Sequence, residues 1–193
     1  MRNQRQDHPL QIVSPVPDAA LSQAARLWWG ATGHGWGPPP RVRACHGMVA
    51  LDDTGGVAGV IGLRDAQGGF PAATPLGARI AFRAAPATAD LVVDGIVVRD
   101  ARQGIGSALL RQALVRAASA GHPGLRAEVR VQNSGAMEFY RAMGFVPVAQ
   151  GRFGWPWTGQ VAILRRVVDD LPDVGFDGTV GRRDRDVTAA RGR

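Results

Sequence analysis

The feature that most constrains this chain is a strand–loop–helix junction near its middle. Leu91–Val98 (LVVDGIVV) is a nearly continuous apolar run, rich in β-branched residues, which predicts a central strand buried on both faces. Gly95 inside it predicts a bulge or the close approach of another group. The segment Arg99-Asp100-Ala101-Arg102-Gln103 then leads into Gly104-Ile105-Gly106-Ser107, where a helix begins. The first turn of a helix carries N–H groups with no intrahelical partner and the positive end of the dipole. Glycines there remove side chains and let an anion reach those amides. A diphosphate suits such a turn. The dinucleotide fingerprint would need a third glycine where Leu109 stands, and the P-loop would need a Gly-Lys-Ser/Thr ending. Taken alone, the turn reads equally well as a plain structural junction.

The rest of the chain supplies an α/β frame around this junction. Residues 17–30 predict a helix with Asp18 at its start and Leu21, Ala24, Ala25 and Trp28 on one stripe. Residues 46–51 and 57–63 predict two strands about the turn Asp52-Asp53-Thr54-Gly55-Gly56. Residues 31–40 read as a loop, and residues 76–83 as a short helical piece. Residues 104–120 predict a helix with Ile105, Ala108, Leu109, Ala113 and Leu114 inward. Residues 125–131 alternate as a strand, with Leu125, Ala127, Val129 and Val131 on one face and Arg126, Glu128 and Arg130 on the other. Asn133 or Ser134 caps a short helix that places Ala136, Phe139, Tyr140 and Met143 on one face and stops at Gly144. Residues 146–149 and 160–168 predict the last strands, joined by GRFGWPWTG. Residues 1–168 therefore form one domain, and residues 169–193, charged and poor in large apolar side chains, form a flexible tail.

Composition narrows the function classes. The 193 residues carry a formal charge of +7, with every basic side chain an arginine. The arginines are spread along the chain, without the stripe of a nucleic-acid surface, which argues against nucleic acid as a partner. Binding of a polyanion through that surface stays open as a third class of function. No apolar stretch reaches membrane-span length and the N-terminus lacks an apolar signal core, so a cytoplasmic protein without membrane partners is expected. One cysteine, Cys45, excludes an intramolecular disulfide, and His34 and His46 are too isolated to suggest metal ligands; no metal is expected. Cys45 reads as a small packed residue rather than a nucleophile.

The second motif, Asn133-Ser134-Gly135-Ala136-Met137-Glu138-Phe139-Tyr140 followed by Gly144-Phe145, comes about 30 residues after the glycine turn with a strand between. In order and spacing the pair resembles the GNAT superfamily of N-acetyltransferases, with its Gln/Arg-x-x-Gly-x-Gly/Ala loop and Asn-x-x-Ala-x-x-x-Tyr helix. The strong match covers residues 91–148. The resemblance implies a mixed, largely antiparallel central sheet flanked by helices and splayed near its centre. It implies transfer of an acetyl group from acetyl-CoA to the primary amine of a small-molecule or peptide acceptor by direct attack in a ternary complex. A homodimer is compatible with it, since relatives are often dimers.

Site residues follow from the same resemblance. The amides of Gln103, Gly104, Ile105, Gly106 and Ser107 would hold the diphosphate, and backbone groups of Ile96, Val97 and Val98 the pantetheine arm. Val98 N–H would polarise the carbonyl. Where the family has Gln or Arg three residues before the first glycine, this chain has Ala101. Either Arg102 fills that role across a one-residue deletion or the amides act alone. Tyr140, the only tyrosine, would be the general acid toward the CoA sulfur, with a core aromatic as the other reading. Asn133 would bond the pantetheine or cap its helix. For the base, Asp94 stands four residues before Val98, so both project to the same face, from which it would act directly or through water. Its other reading is a structural carboxylate bonded to a nearby loop. Glu128 and a water chain are the alternatives. Trp36, Trp155 and Trp157 would wall the acceptor pocket or anchor loops. A non-catalytic acyl-CoA-binding sensor is the competing function, kept open by the altered loop.

Overall fold

The structure is a computed structural model that describes residues 10–32, 38–72, 82–101 and 103–168. Strands β1 (Gln11–Val13), β2 (Gly47–Leu51), β3 (Val57–Asp65), β4 (Gly68–Gly69), β5 (Leu91–Val98), β6 (Gly124–Arg130), β7 (Val146–Gly151) and β8 (Val161–Val167) form one sheet of order β1-β2-β3-β5-β6-β8-β7, with β4 paired to β3. Every pairing is antiparallel except β5 with β6. The helices among the described residues are α1 (Asp18–Thr32), α2 (Ile105–Ser119) and α3 (Ser134–Ala142), with a 3₁₀ turn at Ala44–His46 before β2. This is the expected mixed α/β architecture. The short β1, which pairs with β2, carries no periodic signal in its three residues.

The helices cover both faces. α1 lays Ala20, Ala24 and Trp28, four residues apart, against Val49, Val57, Val60 and Phe70. α2 buries Ile105, Leu109, Leu110, Ala113, Leu114 and Ala117 on the opposite face with Met48, Ile61, Leu91 and Leu125, joined by Met137 and Tyr140 of α3. Ala108 is only half-buried and Leu110 takes its place in the stripe. Each fully buried leucine stabilises the fold by roughly 1.5–3 kcal/mol before chain entropy is counted. Crossover through α2 is what allows β5 and β6 to run parallel.

Two irregularities shape the centre. In the β3–β5 ladder Gly62 pairs with Gly95 but Leu63 pairs with Val93, so Asp94 is an extra residue, and Gly95 adopts φ 136° beside it. This is the bulge that Gly95 predicted. Its consequence corrects the expectation for Asp94. Leu91 and Val93, and after the bulge Ile96 and Val98, pack into the core beneath α2. The extra residue shifts the alternation, so Asp94 does not share a face with Val98 and turns instead toward Arg64 and β4. The second irregularity is a fork. β5 pairs with β6 only over Leu91–Leu125, Val92–Arg126 and Val93–Ala127, although β6 continues in register with β8 through Arg130. The helical piece expected at 76–83 lies largely outside the described residues, as do Trp36, Arg102 and the tail from 169.

Candidate active site

The fork creates a site at the end of β5. Past Val93, the edge of β5 that would face β6 has no strand partner among the described residues, and Asp94–Val98 are half-buried rather than enclosed. Backbone polar groups there call for a partner other than the sheet. α2 begins over the same opening. Its N-cap is Gly104 at φ 77°, without a side-chain cap bond, so the first-turn amides have no protein side chain on them from that position. A Cβ on Gly104 would meet nothing within 4 Å, and one on Gly106 would come 3.7 Å from Phe139 and 3.8 Å from Ile96. Turn, strand and α3 thus converge on one space that glycine keeps clear.

The loop into this turn is anchored at its start. Arg99 N–H donates to the Ala58 carbonyl at 2.8 Å, and its guanidinium meets Asp52 at 3.0 Å. Asp52 also accepts from Thr54 and Gly56, and these bonds, with that of Arg99, lower its carboxyl to about 2. Gln103 and Gly104 are exposed and Ile105 is buried beneath the turn.

α3 closes the far side. Asn133 Oδ1 accepts from Ala136 N–H at 3.0 Å, the expected cap. Tyr140 is buried between Phe139 and Phe145, with ring centroids 5.3 and 5.2 Å away, and burial pushes its phenol well above the ordinary value. A phenol so placed stays protonated at neutral pH, with its hydroxyl proton available to donate.

The carboxylates lie at the apex of the fork. Asp94 and Glu128 are the first residues of β5 and β6 beyond the last paired positions, Val93 and Ala127. Arg64 joins them: its Nε donates to Asp94 Oδ1 at 2.8 Å and its Nη2 lies 3.4 Å from Glu128 Oε1. Arg126 approaches the same Glu128 oxygen at 2.9 Å. Burial raises the Asp94 carboxyl above its ordinary 3.8; the Arg64 cation opposes this, and the Glu128 charge reinforces it. Sequence reasoning gives Arg64 no role. Its reach is set by register, with Arg64 opposite Val92, and no local pattern marks that. The aromatic linker also folds into a unit. Trp155 and Trp157 stack at 5.2 Å and 7°, and Phe82 meets Trp155 edge-on where Arg83 pairs with Gly154. Trp157 is exposed and Trp155 half-buried.

A strand fork, a glycine helix start and a buried tyrosine come together in one mixed α/β frame. Comparison with known proteins makes the class definite: the acetyltransferase (GNAT) family model matches residues 21–145, and the chain belongs to that family. Similar solved structures include an N-acetyltransferase from Staphylococcus aureus Mu50 (15% identity, TM-score 0.59, covering 81% of this chain and 100% of that one). Another is the ribosomal-protein-S18-alanine N-acetyltransferase from Escherichia coli (16%, 0.55, 86% and 98%). A third is Arabidopsis thaliana NAA60 in complex with acetyl-CoA (11%, 0.53, 83% and 99%). At these identities the likeness is one of fold. No curated protein matches the chain by sequence. Among the described residues no helix is long and apolar enough to cross a membrane.

Proposed function

We propose that the protein transfers an acetyl group from acetyl-CoA to a primary amine, by direct attack within a ternary complex at the fork. The observation that carries this reading is the convergence of the unpaired β5 edge with the uncapped, glycine-lined start of α2. Those groups fit the donor. The amides of Gln103 to Ser107 suit a diphosphate, and the free edge of Ile96, Val97 and Val98 suits the amide-bearing pantetheine arm as an added strand would. With its Oδ1 committed to the cap, Asn133 keeps its Nδ2 amide for the same arm. Bound acetyl-CoA supplies the acetyl thioester and a thiolate leaving group.

The chain's own groups divide the remaining work between the faces of the sheet. Asp94, on the Arg64 side of the fork, takes a proton from the acceptor ammonium directly or through water, its raised carboxyl bringing its basicity toward that task. Glu128, held by two arginines, attracts and orients the cationic acceptor. Tyr140, packed with the α2-side core, donates its proton to the departing sulfur. Val98 N–H is the candidate donor to the carbonyl oxygen. Base and acid then approach the reacting centre from opposite sides, as an amine attacking one side of the thioester requires. The Trp155–Trp157 stack is the candidate wall for the acceptor's apolar portion.

The test is calorimetric titration of the full chain with acetyl-CoA, comparing wild type with Gly104→Glu. Saturable binding, lost in the variant while its far-UV spectrum is kept, supports the site, and an amine screen for turnover follows. Binding without turnover of any amine would favour the acyl-CoA sensor. No binding by wild type would overturn the donor assignment.

A further inference from the structure

A second constellation of reactive side chains lies outside the fork. Cys45 Sγ sits 3.3 Å from His46 Nδ1, and His46 Nε2 sits 3.1 Å from Asp65 Oδ1. Burial works against the Asp65 charge, but the His46 bond and the N–H groups of Gln67 and Gly68 outweigh it and hold the carboxyl below its ordinary value. An ionised Asp65 is an acceptor only, so it fixes the imidazole proton on Nε2. Nδ1 then presents its lone pair to the thiol. This is the order of roles in a nucleophile–base–orienter triad. His46 is 6% exposed, while Cys45 is exposed. The side chains run in line rather than around a point, and no group of three or more among the described residues is placed to hold a metal ion.

The thiol also opens on a cleft. Ser14, Pro15, Cys45, Met48, Gln112 and Arg116 line an open depression of about 400 Å³. The Arg116 guanidinium is locked beside the sulfur's own residue, donating to the Cys45 carbonyl and, at 2.8 Å, to Ser14 Oγ. Among the described residues the depression carries one cation, Arg116, and an otherwise mixed apolar and polar lining. An anionic small molecule is the matching occupant.

We propose that Cys45, His46 and Asp65 form a thiol-modification site that exchanges with small disulfides bearing carboxylates, Arg116 receiving the carboxylate. In the step, the Cys45 thiol proton passes to His46 Nδ1 as Sγ attacks one sulfur of the disulfide. A new S–S bond forms on Cys45. The old S–S bond breaks, and the departing sulfur keeps its electron pair and takes the proton from the imidazolium. The protein thiol is oxidised, and half of the small disulfide is reduced to a thiol. The site is independent of acetyl transfer and stands or falls without it.

Because Cys45 is the only cysteine, exchange is read without ambiguity from the thionitrobenzoate released by 5,5′-dithiobis(2-nitrobenzoate), a dicarboxylate disulfide, at pH 7. The urea-unfolded chain serves as the reference for the same thiol. The native protein should release one equivalent at a rate at least about tenfold above the unfolded chain. Asp65→Asn, which frees the imidazole tautomer, should remove about tenfold of that rate with the far-UV spectrum unchanged. Arg116→Gln should slow the dicarboxylate probe several-fold relative to neutral 2,2′-dithiodipyridine. A native rate equal to or below the unfolded one overturns the proposal without any variant, so a poorly folding Asp65→Asn leaves it decidable. An unchanged rate in folded Asp65→Asn overturns the triad. An unchanged probe ratio in Arg116→Gln overturns the anionic specificity.

Discussion

Strand β6 meets two neighbours and treats them differently. On one edge it pairs with β8 along its whole length, Gly124 to Arg130, and on the other it pairs with β5 for three residues only. The first edge is ordinary sheet, with every residue in register. The second is sheet at one end and a gap at the other, bordered by Asp94, Glu128 and the backbone of residues 96–98. The contrast shows where the site's capacity comes from. Backbone groups that a complete ladder would pair have no strand partner there among the described residues, and the bulge at Asp94 turns its carboxylate toward Arg64, away from the α2-side core that holds Tyr140. Two ion-pair sets bound the fork. Arg64 ties Asp94 to Glu128 at the apex, and Arg165 of β8 grips Asp90, just before β5, with bonds of 2.8 and 2.9 Å across the closed end.

The sharpest way to break the comparison is to remove the hydroxyl proposed as proton donor on the α2 side. Tyr140→Phe keeps the ring between Phe139 and Phe145 and deletes only the hydroxyl. We expect kcat to fall by about 10²-fold or more with the thermal midpoint little changed. Steady-state kinetics on whichever amine the screen yields would check this. A loss below threefold would return Tyr140 to the role of a core aromatic.

The apex carboxylates come next, because they test whether the two strands contribute unequally. Asp94→Asn should lower kcat/KM by roughly 10–10²-fold, and Glu128→Gln by less and mainly through KM. The base must be deprotonated to work, and the Asp94 carboxyl is raised. Activity should therefore fall as pH drops through a value above the ordinary 3.8, and that acidic limb should vanish in Asp94→Asn. Equal effects of the two substitutions, or a limb that survives in Asp94→Asn, would point to Glu128 or to water as the base.

Much of this arrangement is legible in the sequence, and the reason is locality. The apolar run of β5, the glycine turn, most of the α2 stripe and the Asn133 cap are each written within a few residues; in the stripe only Leu110 replaces Ala108. The bulge is half legible: Gly95 announces it, but which residue becomes extra depends on pairing with β3. That is why an alternation argument places Asp94 beside Val98 and the structure separates them. Arg64 and the Cys45–His46–Asp65 line are not legible at all. Arg64 is 30 residues from Asp94 and 64 from Glu128, and Asp65 is 19 from His46. Only tertiary register brings them together. A lone cysteine beside a histidine looks inert until β3 delivers a carboxylate to the far ring nitrogen.

The smallest effect concerns the closed end of the fork. Asp90 is 6% exposed; burial disfavours its charge, but the Arg165 bonds, Thr88 and the Arg126 cation together hold its carboxyl below the ordinary 3.8. A carboxyl lowered by folding contributes stability that is fully present above its unfolded value and lost as pH falls through its folded one. Urea midpoints should thus decline as pH falls through 3.8 and on through the lower folded value, and the decline should be shallower in Asp90→Asn. At neutral pH Asp90→Asn should cost about 1–2 kcal/mol, because Arg165 is partly exposed and can be rehydrated. If the pair pins only the closed end, kcat should survive this change. Matching losses of stability and kcat would mean instead that the fork's opening depends on how firmly its base is held.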